Sequence, residues 1–87
     1  MATVTVLDTA TLILADNPKR LSVIINNVGD ETVYIGQTDS VTSADGVPLL
    51  QNATLTEDSG GTKVYCGPIY GITATGTSDC RYWERIR

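Results

Sequence analysis

The chain has 87 residues, which is one domain with room for a single thin core. Its net charge of −4 excludes a general nucleic-acid binder, which needs a basic face. It has no histidine and only two cysteines, so zinc sites and Ser-His or Cys-His catalysis lack their parts.

Thirteen Thr, eight Val and four Tyr favour pleated, half-buried strands, and eight Gly and three Pro supply turns. The fold class this predicts is all-β, a small antiparallel sandwich or barrel of seven to eight short strands. The longest apolar runs are too short to span a bilayer, and the N-terminus lacks the basic start and apolar run of a signal peptide, so no membrane partner and cytoplasmic synthesis are expected.

In chain order, Ala2 to Leu7 alternates with Val4 and Val6 on one parity. Thr11 to Ala15 reads as a second short strand, or with the first as one bulged strand. Asp16 to Lys19 is a turn. Arg20 to Asn26 places Leu21, Val23 and Ile25 on one face. Three successive apolar residues, Val23, Ile24 and Ile25, predict a strand covered on both faces, either central in its sheet or buried by another chain. Thr32 to Gly36 follows a five-residue loop, with Val33 and Ile35 inward and Tyr34 outward, and the two segments are expected to form a β-hairpin.

Thr38 to Leu50 is a long loop with a turn at Asp45-Gly46, anchored by Leu49 and Leu50. Asp39 and Asp45 lack the spacing of a Ca²⁺ loop. Ala53 to Asp58 and Thr62 to Cys66 read as a hairpin about Ser59-Gly60-Gly61. Ile69 to Thr75 and Cys80 to Ile86 read as the last two strands, joined by a tight turn at Gly76 to Asp79. Cys66 and Cys80 are expected as reduced, partly buried thiols; a disulfide would require them on neighbouring strands. Asn52-Ala53-Thr54 matches a glycosylation sequon by chance.

Candidate chemistry is thin. No carboxylate pair, phosphate loop or cofactor motif stands out, so the expectation is a protein that is not an enzyme and holds no cofactor or metal. The remaining function is binding. Candidate interface residues are Val23, Ile24, Ile25, Tyr34, Arg81, Trp83, Arg85 and Arg87: an apolar strand, outward aromatics and a C-terminal basic cluster suited to an acidic partner. Tyr34, Tyr65 and Trp83 could instead stack on sugar rings.

The blocks RLSVIINNVGDETVYIG, DGVPL and VYCGPIYGITATGTSDCRYWE resemble small phage virion proteins of the head-decoration or head-fibre type. Arg20, Ser22, Asn26, Val33, Tyr34, Ile35 and Gly36 carry the first block. Gly46, Pro48 and Leu49 carry the second. Tyr70, Gly71, Ile72, Ala74, Gly76, Thr77 and Asp79 carry the third. Cys80 and Tyr82 stand where the family usually has small aliphatics, and Trp83 is bulky. The resemblance implies a non-enzymatic capsid decoration (cement) protein on the outer head surface of the virion. It also implies a homo-oligomer, a trimer favoured, whose partner is the major capsid protein. A tail, fibre or baseplate domain, binding host carbohydrate or joining virion components, is the alternative.

Overall fold

The computed structural model describes residues 2–58 and 64–87. Eight strands form: β1 (Ala2–Val6), β2 (Thr11–Leu14), β3 (Arg20–Asn27), β4 (Val33–Gly36), β5 (Val47–Leu49), β6 (Thr54–Asp58), β7 (Ile69–Thr73) and β8 (Ser78–Ile86). They make two four-stranded antiparallel sheets, ordered β1-β8-β3-β6 and β2-β7-β4-β5. The all-β sandwich read from composition and alternation is the architecture observed.

The inward parity of each strand supplies the core. Val6, Val23, Ile25 and Cys80 come from the first sheet. Ile13, Leu14, Val33, Ile35, Leu49 and Ile69 come from the second, and all ten are buried. Two sheets facing each other remove this apolar set from water, the main favourable term in folding. Gly71 sits where the sheets meet. A Cβ there would lie 2.9 Å from Ile13 Cδ1, 3.0 Å from Val33 Cγ1 and 3.4 Å from Val6 Cγ1, so the inward position of β7 has no room for a side chain.

Consecutive strands mostly change sheets, and only β4 and β5 are sequence neighbours that also pair. This corrects the expected hairpin of β3 with β4. The segment after Asn27 crosses the sandwich as an arch, so β4 pairs with β7 and β5 while β3 pairs with β8 and β6. The physical reason lies at Asn27, which is fully buried on the inward parity. Its Nδ2 donates to Glu31 O and Leu49 O, both at 2.8 Å, and its Oδ1 accepts the Gly29 N–H at 3.1 Å and the Ser78 hydroxyl at 2.7 Å. A hairpin would leave that amide unpaired in the core; the arch gives every polar atom a partner. The turn after β7 likewise crosses between sheets, with Gly76 at φ 72°.

β3 is central in its sheet, as its two-faced apolar run predicts. Its first residue mirrors its last. Arg20 is buried, and its guanidinium donates to Ala15 O at 2.8 Å, to Tyr65 O and Gly67 O at 2.9 Å, and pairs with the Glu84 carboxylate. One arginine fork thus ties β8, the end of β2 and the 65–67 segment to β3, using the planar donor geometry that lysine lacks.

The long loop after β4 is anchored by Val41 and Leu49, both buried, whereas Leu50 is 62% exposed. Leu50 lies past the end of β5, where the chain turns away from the core. Val41 is seated over Gly36, whose missing Cβ would fall 2.5 Å from Val41 Cγ2. The expected turn at Ser59-Gly60-Gly61 and most of its following strand lie outside the described residues; Val64 to Cys66 is not a strand.

Candidate interaction face on the β8 sheet

β8 runs between β1 and β3, so its outward side chains stand in the middle of a sheet face. Its alternation buries Ser78 and Cys80 and exposes Asp79, Arg81, Trp83 and Arg85. Period two makes this one row along the strand. Across it lie the outward residues of β3: Asn26 opposite Arg81, Ile24 opposite Trp83, and Ser22 opposite Arg85. Thr56 and Thr54 flank Ile24 and Asn26 from β6, and Thr3 and Thr5 flank Arg81 and Asp79 from β1.

The face therefore has a graded chemistry. Trp83, half exposed, and Ile24 form an apolar centre, since directly opposed Cβ atoms lie within contact range. Arg81 and Arg85 bracket the tryptophan. Thr3, Ser22, Asn26, Thr54 and Thr56 make a polar surround. Arg81 and Arg85 form no ion pair among the described side chains; the one ion pair there joins Arg20 to Glu84 on the inner side. Asp79 accepts a 2.8 Å hydrogen bond from the Thr5 hydroxyl. A chain of net charge −4 thus gathers two guanidinium groups, neither in an ion pair among the described side chains, around the most exposed aromatic among the described residues. Tryptophan and arginine at the centre of a polar ring is the anatomy of protein-interface hot spots.

Of the sequence-predicted interface residues, four converge here: Ile24, Arg81, Trp83 and Arg85. Arg87 lies beyond the end of β8 and is exposed, where its guanidinium donates to Pro18 O at 3.3 Å. Val23 and Ile25 do not belong to the face. They are 1% and 0% exposed because their parity points into the core, so they have no surface to offer a partner. Tyr34 is on the outer face of the opposite sheet, between Ile72 and Pro48.

Tyr65 lies at neither face. It packs against the core, donates from its hydroxyl to Pro68 O at 2.8 Å, and lines a cleft of about 500 Å³ with Gln37, Asp45, Leu55 and Glu57. Tyr34, Tyr65 and Trp83 therefore share no surface. Asp45 is engaged within its own loop, accepting from the Thr42 N–H at 2.7 Å and hydroxyl at 3.1 Å.

Both cysteines are free thiols. Burial, helped by the neighbouring Asp79 charge, pushes the Cys80 thiol from 9.0 up to about 11, so it is a packing residue and not a nucleophile. Sequence reasoning missed the two buried polar clamps, Arg20 and Asn27. For Asn27 the available signal was parity, since it continues the inward set Val23 and Ile25; Arg20 carried none, because alternation groups it with Ser22 and Ile24 and the register shift between Arg20 and Ser22 turns it inward.

No family model, curated protein or solved structure matches the chain.

Proposed function

We propose that the protein is a non-enzymatic structural component of a phage particle: a decoration protein that holds the outer head surface through the Arg81–Trp83–Arg85 face and adds to particle stability. The observation that carries this is the face itself, an apolar centre between two arginines that form no ion pair among the described side chains, on an acidic chain. Its complement is an acidic protein surface with an apolar recess, and the major capsid protein is the partner in this reading. The block-by-block resemblance to head-decoration proteins supports the same assignment. Binding only the assembled particle would stabilise it by linkage, and a homo-oligomer on the virion surface would multiply each contact.

The test is cosedimentation of the purified protein with capsids that lack it. Trp83→Ala is expected to weaken binding about 30-fold or more, as removal of a central hot spot does. Arg81→Glu with Arg85→Glu is expected to abolish binding, and added salt to weaken it. No association with capsids, or association unchanged by both variants, refutes the assignment. The cleft beside Tyr65 favours one alternative, a tail, fibre or baseplate domain that binds host carbohydrate. Glycan-array binding lost in Tyr65→Ala would support it, and a blank array would remove it.

A further inference from the structure

We infer that the free edge of β1 is a self-association site, at which two copies of this chain pair antiparallel about Val4 and join their β8 sheets into one.

Among the described residues there are four sheet edges: β1 and β6 on one sheet, β2 and β5 on the other. An open edge presents unpaired N–H and C=O groups, and proteins that stay apart blunt such edges with charge, proline, bulges or brevity. Three of the four are blunted. β2 has a register shift between Leu12 and Leu14. β5 is three residues long and contains Pro48. β6 ends in Glu57-Asp58. β1 has none of these devices. Ala2 to Val6 is uncharged and free of proline, and it keeps unbroken register with β8 over five pairs. No backbone hydrogen bond joins residues 2–6 to any described segment other than β8.

The sequence of β1 also selects its own copy as the added strand. Thr3-Val4-Thr5 reads the same in both directions about Val4, and the flanking Ala2 and Val6 are both apolar. An antiparallel pair centred there sets Val4 against Val4 of the second copy, Thr3 against its Thr5, and Ala2 against its Val6. The Thr–Thr pairs fall on the outer face and the apolar pairs on the inner, the matches that stabilise neighbouring strands. Two chains of net charge −4 meet at an edge with no charged residue in it. Strand addition draws its affinity from main-chain hydrogen bonds, so it does not require a large apolar patch.

The two-fold axis is normal to the sheet, which keeps both inner faces on one side. An eight-stranded sheet results, with both Trp83 faces on its other side, so a docked pair engages a surface bivalently. The pairing stands on the edge alone and does not depend on which partner that face binds.

The test is solution mass from micromolar to millimolar protein, with Thr3→Pro and Val4→Pro as variants. Adjacent residues of a strand point their N–H groups to opposite edges. One proline therefore removes a bond to β8 and lowers the melting temperature, while the other leaves the fold intact and blocks only the free edge. The expected result is a species of twice 9.3 kDa for the native chain. The well-folded proline variant should dissociate at least about tenfold more readily. Amide exchange at residues 2–6 should slow as the native protein is concentrated. A monomer at every concentration, a trimer, or a dimer unaffected by the well-folded proline variant overturns the inference. Loss of capsid binding in Trp83→Ala is a separate outcome and bears only on the docking face.

Discussion

Asn27 decides whether β3 and β4 form an arch, and its removal gives a measurable cost. In Asn27→Ala, four hydrogen bonds disappear, but their consequences differ. The Gly29 N–H keeps a second acceptor, Asp79 O at 3.1 Å, and Glu31 O belongs to a half-buried residue near water. Leu49 O and the Ser78 hydroxyl are on buried residues and lose their partner inside the fold. Two buried polar groups at about 1–2 kcal/mol each give a loss of roughly 3 kcal/mol. A chain of 87 residues has on the order of 4–13 kcal/mol to lose, so the variant should stay folded but melt roughly 12–24 °C lower. Ser78→Ala removes one 2.7 Å bond and leaves Asn27 Oδ1 with the Gly29 N–H, so about 1 kcal/mol is expected. Because both residues share that bond, the double variant should cost less than the two losses added. Urea unfolding of the three variants measures all of this. A loss under about 1 kcal/mol for Asn27→Ala, at an unchanged denaturant slope, would refute the idea that this amide locks the arch.

Arg20→Met leaves the part-buried Glu84 carboxylate with only the long Asn17 contact and removes the donor from three backbone carbonyls, one of them on exposed Ala15, so about 3 kcal/mol is expected in urea unfolding; under about 1 would mean that the clamp is not structural. Gly71→Ala forces a methyl to 2.9 Å from Ile13 and should cost about 1–2 kcal/mol by thermal melting, against no loss if the sheets can part freely. Cys80 makes stability depend on alkaline pH. Its folded pKa is raised, so below pH 9 the thiol is protonated in both states and its contribution is complete. Above that the unfolded chain releases its proton first, and the contribution is lost as pH rises from 9.0 through about 11. Chemical unfolding across that window should show the native chain losing more stability than Cys80→Ala; parallel curves would sink the reading.

The strands were legible because period two is a strong local signal. Val23 and Ile25, Val33 and Ile35, and Cys80 against Arg81 all fall on the faces that alternation predicts. Strand partners were not legible to the same degree. A five-residue loop with glycine suits a hairpin, and β3 and β4 present the same apolar parity whether they pair side by side or face each other across a core. What separates the two is where Asn27 points, and that depends on Ser78 and Leu49, far along the chain. The site divided in the same way. Arg81, Trp83 and Arg85 form a row on one strand and were found from sequence. That Ile24 joins them, while Val23 and Ile25 do not, required knowing that β3 lies beside β8.

The connectivity also explains where the proposed docking face lies. Because nearly every link crosses the sandwich, the last strand enters the middle of a sheet already bounded by β1 and β3. A strand in that place is held on both sides by main-chain hydrogen bonds and below by Cys80 in the core, so its outward side chains stand on a rigid platform. Arg81, Trp83 and Arg85 then lose little backbone freedom on docking, which raises the share of their contact energy that appears as affinity. The same row on an edge strand or a loop would have the composition of a hot spot without its preorganisation.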